Sequence, residues 1–398
     1  MKKDWEICPL DKYVKFIDYR GHTPTKTQSG MRLITAKNVK DGFLQREPEE
    51  FVDPKIYDKW MVRGFPKKGD VLFTTEAPLA NVAQLDTDEK VLFAQRIIIL
   101  QPQKQKIDQT FLKYLLLSEP VRKQIFSKGT GATVQGIKAR LLKTIEIPVP
   151  PLPEQERIVS VLDEAFASIA QARSNAERNL VNARELFESV LRELFSDGMD
   201  WEEKTLGEIT DVQSGGTPLR STKEYWNGNI PWYSSGELNN LYTEEPERKI
   251  TKQGLDNSNA KIFPEGSLLM GMYDTAALKM SILDRDGTFN QAIAGAKPNN
   301  KLDLKFVMYA IRVVKPEILN QRRGVRQKNL SLEKIKNIPI ILPPLAEQRA
   351  IVARLEALSA ETGRLDAVYR QKVAALEELK KSVLARAFSG ELTAKVIP

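Results

Sequence analysis

The segment IPVPPLPEQERIVSVLDEAF, which begins at Ile147, returns as IPIILPPLAEQRAIVARLEAL from Ile338. Its proline-proline-leucine step and the following Glu-Gln recur at an offset of 193 residues: Pro150, Pro151, Leu152, Glu154 and Gln155 become Pro343, Pro344, Leu345, Glu347 and Gln348. The offset continues without a gap to ELFESVLRELFS (185–196) and ELKKSVLARAFS (378–389). Repetition at a fixed offset indicates a duplicated structural unit. Two long helices of equal length are therefore predicted.

The segments that precede the two helices also correspond, with small insertions and deletions. WEICPL at Trp5 matches WEEKTL at Trp201, and GHTP (21–24) matches GGTP (215–218). FPKKGDVLF from Phe65 matches FPEGSLLM from Phe263, FAQ at Phe93 matches FNQ at Phe289, and DQTFLKY at Asp108 matches DLKFVMY at Asp303. We call these two segments copy 1 (residues 1–150) and copy 2 (residues 199–343).

Each copy is rich in Gly, Pro and Asn turns and in short apolar runs such as RIIIL and DVLF. That pattern is typical of an α+β domain with many short strands. The predicted fold is therefore two similar α+β domains and two long helices, with an internal pseudo-twofold repeat. The predicted boundaries are 1–150 for the first domain, 151–198 for a central helix, 199–343 for the second domain and 344–398 for a C-terminal helix and tail.

Both helices carry apolar residues at alternating spacings of four and three, a heptad pattern typical of a coiled coil. Because copy 2 follows the end of the first helix and precedes the start of the second, helices that pack together must be antiparallel. Pairing residues whose numbers sum to 541 matches every seam position to another and brings Asn179 to Thr362, a polar pair that can fix register. The alternative is that each helix packs on its own domain. The predicted seam residues are Ile158, Leu162, Asn179, Leu186, Val190, Ile351, Leu355, Thr362, Leu379 and Val383.

Composition excludes several classes of protein. No apolar run approaches the roughly 18 residues that a membrane span needs, and no apolar segment follows the two N-terminal lysines as in a secretory signal. We therefore expect a cytoplasmic protein without a membrane partner. One Cys and one His among 398 residues cannot build a disulfide framework or a structural zinc site, so no metal site is predicted. A formal net charge of +8 suits a polyanionic partner.

Each copy contains a glycine-bearing basic segment without acidic residues. It covers 121–144 in copy 1 and 318–332 in copy 2. Arg, Lys, Thr and Gln side chains have the donors that bind phosphates and read base edges in the major groove. The alternative is ordinary solvated charge, which the recurrence at equivalent places makes less favourable. The DNA-binding candidates, with weaker ones outside these segments, are Thr23, Arg96, Lys128, Thr130, Thr133, Gln135, Lys138, Thr217, Arg220, Lys223, Tyr273, Lys279, Arg322, Arg323, Arg326, Gln327 and Lys328.

Motifs of catalysis are missing from the sequence. It contains no P-loop, no G-x-G-x-x-G after a strand and no H-E-x-x-H. We therefore expect no catalytic residues and no cofactor held by this chain. Two other hypotheses remain open: a catalytic domain without a known motif, and a protein-interaction scaffold without a role on nucleic acid. Methyl transfer by the chain alone would favour the first, and binding insensitive to salt and DNA would favour the second.

Over essentially its whole length the chain resembles the specificity subunit of Type I restriction-modification systems. The two PPLxEQ segments, the two ELxxSVLxxxFS helix ends and the paired G-x-T-P and F-P elements carry the resemblance. It implies two target-recognition domains, each reading one half of a bipartite asymmetric site in double-stranded DNA. It also implies that the helix pair sets the gap between the halves and docks two N6-adenine methyltransferase subunits, which a restriction and translocation subunit joins. S-adenosylmethionine, ATP and Mg²⁺ are then expected on those partners.

Overall fold

The computed structural model describes residues 5–19, 24–131, 135–196, 201–320, 329–389 and 391. The chain divides into two compact units. One unit comprises residues 1–177 and 370–398, and the other comprises residues 178–369. Each unit therefore holds one copy together with part of each long helix.

Copy 1 and the first long helix contain the following elements: β1 (Glu6–Pro9), β2 (Val14–Asp18), β3 (Lys26–Thr27), β4 (Met31–Ile34), β5 (Phe51–Val52), α1 (Tyr57–Trp60), β6 (Val71–Thr74), β7 (Val82–Gln84), β8 (Leu92–Phe93), β9 (Ile97–Pro102), α2 (Gln109–Leu117), α3 (Glu119–Ser127), α4 (Ala139–Lys143), β10 (Glu146–Val149) and α5 (Leu152–Ser196). Copy 2 and the second long helix contain β11 (Glu202–Thr205), α6 (Leu206–Ile209), β12 (Val212–Ser214), β13 (Trp226–Tyr233), β14 (Arg248–Ile250), α7 (Lys252–Asp256), β15 (Leu268–Gly271), β16 (Met280–Ile282), β17 (Thr288–Phe289), β18 (Ile293–Ala296), α8 (Leu304–Asn320), α9 (Leu332–Lys336), β19 (Pro339–Leu342) and α10 (Leu345–Ser389).

The two copies have the same sheet topology, except that β3 pairs with β5 in copy 1 and has no counterpart among the described residues of copy 2. The main sheet has the order β2-β9-β6-β7 in copy 1 and β12-β18-β15-β16 in copy 2. In the second sheet of copy 1, β4 pairs parallel with β8 and antiparallel with β5. In the second sheet of copy 2, β13 likewise pairs parallel with β17 and antiparallel with β14. In both copies the first strand pairs antiparallel with the strand that precedes the long helix. The predicted duplicated α+β fold is confirmed.

The core of each main sheet follows from its sequence. Strand β9 begins with three consecutive isoleucines that are almost fully buried, as expected for a central strand covered on both faces. The glycine before β6 and the one before β15, Gly69 and Gly266, have φ of +89° and +82°. Residues with a side chain rarely adopt that conformation, which explains why glycine recurs in GDVLF and GSLLM.

The glutamine of each PPLxEQ segment is a buried connection between a long helix and its domain. Gln155 accepts a hydrogen bond from Asp108 N (2.9 Å) and donates to Lys106 O (2.8 Å) and Pro150 O (2.7 Å). Gln348 accepts from Asp303 N (2.9 Å) and donates to Pro343 O (2.9 Å). Both side chains are almost completely buried. A buried amide must be hydrogen-bonded, so the motif fixes the start of each long helix against the N-terminus of α2 or α8.

The far end of each long helix also packs on a domain. At the end of α10, Phe388 meets Phe111 of α2 with ring centroids 5.5 Å apart, and at the end of α5, Phe195 stacks on Phe306 of α8 at 5.1 Å. In each unit, residues near the start of one helix share a core cluster with residues near the end of the other. The two helices are therefore antiparallel, which confirms the prediction.

The predicted seam residues differ in their burial. Ile158, Leu162, Ile351 and Leu355 are buried, and Val190 and Val383 are partly buried. The assignments of Leu186 and Leu379 are wrong, since both side chains are 48% exposed. The buried positions in this part of α5 are instead Ala183, Phe187, Leu191 and Phe195, which are spaced by four. A four-residue step exceeds the 3.6-residue turn, and it brings Phe187 to Tyr309 of α8, with ring centroids 6.3 Å apart.

The predicted register is also wrong. Ion pairs join the helices at Arg173–Glu377 in one unit and at Arg184–Asp366 in the other, and the residue numbers of both pairs sum to 550 rather than 541. Thr362 donates its hydroxyl to Leu358 O of its own helix at 2.9 Å. Asn179 and Thr362 therefore do not face each other, because the helices are shifted by more than two turns from the predicted pairing.

Candidate nucleic-acid interface

In copy 1, Arg96 stands at the end of the main sheet. It lies in the turn before β9 with φ of +81°, and its carbonyl accepts hydrogen bonds from Thr75 N (2.8 Å) and Thr75 Oγ1 (3.3 Å). Its guanidinium pairs with Glu76 at 3.1 Å, with both side chains nearly half exposed. Gln95, the preceding residue, is exposed. A guanidinium and a carboxamide therefore project into solvent from neighbouring positions.

The basic segment of copy 1 returns to the same sheet end. Thr130 and Gly136 exchange two backbone hydrogen bonds of 2.8 and 2.9 Å, and Ile137 N donates to Thr75 O at 2.9 Å. These bonds bring Thr130 and Gln135 beside Glu76, which forms a bridge with Gly136. Arg96 and this segment are far apart in the sequence, but in the fold both contact Thr75 and form one surface.

Two lysines of this segment differ in their surroundings. Lys128 donates its ammonium to Thr144 O (2.8 Å) and Thr144 Oγ1 (3.0 Å), at the end of α4. Lys138 precedes α4 and is exposed. Lys138 is therefore the better phosphate ligand of the two, and the DNA contact of either one stays a prediction.

In copy 2, the GGTP segment packs against the FNQ turn. A Cβ on Gly215 would lie 2.0 Å from Phe289 O, and Trp232 Nε1 donates to Gly216 O at 2.9 Å. The hydroxyl of Thr217 then donates to Oε1 of Gln291. Gln291 is exposed, and its amide N–H groups can donate to a ligand while its oxygen is held by the protein.

The other candidates of copy 2 lie near the same sheet end or on a separate turn. Tyr273 follows β15 and is 36% exposed, and Leu330 N donates to the adjacent Met272 O at 2.8 Å, as Ile137 does to Thr75 in copy 1. Lys279 donates to Asn239 Oδ1 at 3.0 Å. Arg220 and Lys223 are exposed in the segment between β12 and β13, and no contact joins them to Tyr273 among the described residues.

Seven candidates lie outside the described residues: Thr23, Thr133, Arg322, Arg323, Arg326, Gln327 and Lys328. Their roles stay predictions from the sequence.

Gln95 and Gln291 were not among the sequence candidates. They end the FAQ and FNQ triplets, occupy equivalent turns before β9 and β18, and are exposed in both copies. The recurrence of the triplet was the available signal. A carboxamide can form a bidentate pair with adenine, so these residues join the candidate interface.

The described ranges lack two further classes of site. No cluster of three or more His, Cys, Asp or Glu side chains could hold a metal ion there. No helix in the same ranges is long and apolar enough to cross a membrane.

The geometry is that of a two-domain protein with polar residues at one sheet end of each domain, and comparison with known proteins defines the class. The family model for the Type I restriction modification DNA specificity domain matches residues 63–177 and 199–371. The chain belongs to this family, and it is a Type I restriction-modification specificity subunit that recognises DNA sequence.

Known relatives extend over the whole chain. The putative type I restriction enzyme MjaX specificity subunit of Methanocaldococcus jannaschii is 26% identical over 427 residues, which cover 99% of this chain and 95% of that protein. The EcoR124I/EcoR124II specificity subunit of Escherichia coli is 27% identical over 65% of this chain and 66% of its own length. The HsdS subunit from Thermoanaerobacter tengcongensis has a similar fold, with a TM-score of 0.66 at 21% identity over 98% of each chain.

Proposed function

We propose that each copy reads one half of a bipartite asymmetric DNA site and that the helix pair fixes the gap between the halves. One observation carries the proposal: a single sheet topology occurs twice, with different exposed side chains at the same sheet end. Copy 1 presents Arg96 with Glu76, whereas copy 2 presents Tyr273 and a Gln291 held by Thr217. Different donors and acceptors select different bases, so the two half-sites differ.

The chemistry of these residues suits base and backbone contacts together. The guanidinium of Arg96 can read guanine, and the carboxamides of Gln95 and Gln291 can read adenine. The exposed ammonium of Lys138 can neutralise a phosphate, and the sequence predicts the same role for Arg322, Arg323 and Arg326. Neutralised phosphates release counterions, so the affinity for DNA should fall steeply as salt rises.

The gap is set by helices that are continuous. Helices α5 and α10 each have 45 residues, which corresponds to a length of roughly 67 Å at about 1.5 Å per residue. A deletion of four residues shortens such a helix by about 6 Å, which corresponds to one or two base pairs of DNA at about 3.4 Å each.

The chemistry of modification and cleavage belongs to partners in this proposal. Two N6-adenine methyltransferase subunits dock on the helical region, and a restriction and translocation subunit joins through them. S-adenosylmethionine, ATP and Mg²⁺ are held by those partners. Support comes from a solved chain with a TM-score of 0.78 and 21% identity, from a structure on complex assembly and conformational transition of the type I R-M system.

Sequencing of methylated motifs tests the division of labour between the copies. The chain is expressed with its methyltransferase subunit in a host that lacks other methylation, and the motif is read from the genome. Gln95→Ala with Arg96→Ala should relax or change one half of the motif, whereas Gln291→Ala should affect only the other half. The proposal fails if either change alters both halves together, or if the motif has a single part.

The gap is tested by deletion in both helices. Residues 171–174 of α5 and 376–379 of α10 lie opposite each other, since Arg173 pairs with Glu377, and both segments are removed together. The methylated motif should keep both halves and lose one or two base pairs between them. As a control, a deletion in α5 alone should abolish modification, because the residues of α5 beyond the deletion no longer face their partners on α10. An unchanged gap in the paired deletion would refute the spacing role.

A further inference from the structure

Glu76 and Arg96 form an exposed ion pair at the sheet end of copy 1. The contact joins Arg96 Nε to Glu76 Oε1 at 3.1 Å, and 43% of the arginine side chain and 46% of the glutamate side chain are exposed. The guanidinium has four more N–H donors on its Nη atoms, and no described residue other than Glu76 is bonded to it. The ion pair therefore offers a carboxylate acceptor beside several donors to a ligand that approaches from solvent.

The backbone holds both side chains in place. Arg96 has a φ of +81°, and its carbonyl accepts two hydrogen bonds from Thr75. Glu76 forms a bridge with Gly136, where a Cβ would lie 3.2 Å from Glu76 Cβ and 3.4 Å from Glu76 Oε2. The carboxylate thus lies against a glycine that leaves room for it. Because both side chains start from fixed backbone, little further ordering is needed when a ligand binds.

Folding stability does not explain this arrangement. An exposed ion pair contributes little to stability, whereas a residue with a side chain is strained in the left-handed region. Glycine would make the same turn without that strain. Copy 2 forms the equivalent turn with Ala292, which does not have a positive φ, so the shared fold does not require the conformation of Arg96. Strain of this kind clusters at functional sites.

The charge of the ion pair distinguishes a base contact from a phosphate contact. Glu76 cancels the charge of Arg96, so the two side chains together add no net attraction for the phosphate backbone. A site that only neutralises phosphates has no use for a carboxylate, which phosphates repel. Base edges in the major groove, in contrast, carry amino donors for a carboxylate as well as acceptors for a guanidinium. The ion pair therefore fits a base edge better than a phosphate.

We infer that Glu76 determines specificity in copy 1, and that together with Arg96 it reads one C·G base pair of that half-site. The carboxylate accepts from N4 of the cytosine, and the guanidinium donates to O6 and N7 of the guanine. This inference rests on the proposed function, and it names a base pair for which the copy 1 half-site is selected. In copy 2, Tyr273 and Ala292 stand in place of Glu76 and Arg96, so this contact belongs to one half-site alone.

The three other base pairs each break a contact with these two side chains. A reversed G·C pair and a T·A pair place an acceptor, O6 or O4, against the carboxylate. An A·T pair gives the guanidinium one acceptor instead of two. A matched bidentate contact favours the correct base pair by roughly tenfold to a hundredfold, so one ion pair is sufficient to specify one position of the site.

The first test uses the full chain with its methyltransferase subunit. The methylated motif of the unaltered complex should contain a C·G pair in the half-site that changes when Arg96 is substituted. Glu76→Gln keeps the shape of the side chain, but its amide can donate to O4 of thymine. The preference for C·G over T·A at that one pair should therefore fall by at least about tenfold. As a matched control, Glu6 is 44% exposed and pairs with Lys12 at 2.5 Å, and Glu6→Gln should leave the motif unchanged.

A base analogue tests the guanidinium contact. 7-Deazaguanine lacks the N7 acceptor, and at the guanine of this pair it should weaken DNA binding by the unaltered complex by about tenfold. Arg96→Gly removes the guanidinium and keeps the turn, since glycine readily adopts a positive φ. This variant should bind the normal and the substituted duplex equally. Its denaturant midpoint should be unchanged or raised, a result that a merely structural role of Arg96 does not allow.

The outcomes distinguish the two levels of the proposal. If the unaltered complex methylates no bipartite motif, the proposed function and the reading of a C·G pair both fall. If the motif is bipartite, the base-pair assignment alone is wrong when the half-site of copy 1 lacks a C·G pair, or when Glu76→Gln changes no base preference or weakens binding to all duplexes equally. Equal sensitivity of the unaltered complex and Arg96→Gly to 7-deazaguanine would show that the guanidinium does not contact that guanine.

Discussion

Copy 1 and copy 2 agree in their interiors and differ at their exposed sheet ends. Strand order, the buried Gln of PPLxEQ and the phenylalanine pair at the helix end recur in both. Arg96 and Glu76 of copy 1 have no chemical counterpart in copy 2, where Ala292 and Tyr273 stand at the corresponding turns. Shared burial preserves one fold, while free surface positions allow two specificities.

The largest expected effect breaks the shared interior. Phe111 and Phe306 are fully buried and pack on Phe388 and Phe195. Phe111→Ala and Phe306→Ala should each lower the free energy of unfolding by about 3–5 kcal/mol, because a large cavity replaces the ring. Denaturant unfolding of the full chain measures the loss, and Phe43→Ala, at an exposed position, is the control. Very different losses in the two copies would contradict their structural equivalence.

The buried glutamines give the next largest effect. Gln155→Ala leaves Asp108 N and two carbonyl groups without their partner and should cost about 1–3 kcal/mol. Gln348→Ala should cost somewhat less, because Gln348 makes one fewer of these hydrogen bonds. Gln171→Ala removes an exposed hydrogen bond to Asn175, and its cost should stay within about 0.5 kcal/mol. Thermal and denaturant unfolding rank the three, and an equal loss in all would rule out a special role for the buried amides.

A third prediction sharpens the difference between the exposed surfaces. Arg96→Ala should weaken binding of the cognate DNA by about tenfold, since it removes a base or phosphate contact. Lys128→Ala removes the same charge but should have less effect, because that ammonium is bonded to Thr144. Titration of labelled duplexes at fixed salt compares the two variants. A larger loss from Lys128→Ala would mean that the sheet end does not face DNA.

The smallest effect concerns a buried position at which the copies differ, Asp70 in copy 1 and Ser267 in copy 2. Burial raises the pKa of Asp70, although Gln101 and the Lys67 amide donate to its carboxylate. The folded chain therefore holds this proton more tightly than the unfolded chain, and the resulting stability is present at low pH and lost as pH rises through the raised pKa.

Asp70→Asn removes that titration. Relative to the unaltered chain, the variant should gain stability as pH rises from below the ordinary carboxyl pKa through the raised value, and the difference should then level off. Unfolding free energies measured across this range give the comparison. Ser267→Ala does not titrate, so its difference should stay constant with pH. A difference for Asp70→Asn that moves in the opposite direction would show that the pKa of Asp70 is lowered instead.

The sequence predicted the duplication, the fold class and the antiparallel helices, because buried residues recur at fixed offsets. The prediction of the seam failed in the part of α5 that packs on copy 2 as well as on α10. The heptad rule places Leu186 and Leu379 in the seam, but α5 beyond Ala183 packs on copy 2 through Phe187 and Leu191 rather than on α10 alone. The register between the two helices was predicted wrongly for a related reason. Pairing Asn179 with Thr362 stabilises one register only weakly, whereas the packing of Phe388 and Phe195 on the domains fixes where each helix ends.

The candidate interface was predictable only in composition. Arg96 and the basic segment of copy 1 were found separately, since the backbone bonds that join them at Thr75 leave no trace in the sequence. Lys128 looked like a phosphate ligand because its charge is visible and its bond to Thr144 is not. Gln95 and Gln291 were visible as a repeated triplet, but an exposed glutamine has no distinctive pattern of its own.

The pairing of β11 with β19 has a consequence for evolution. The chain enters copy 2 at Glu202 and leaves it at Leu342, and these two residues face each other in one strand pair. The connection between the long helices is therefore one strand pair wide, whatever the size of the rest of copy 2. Insertions or exchanges within the domain can therefore accumulate without altering the distance that the helices span. The bases that a domain prefers and the length of the gap between the half-sites can therefore change independently during evolution.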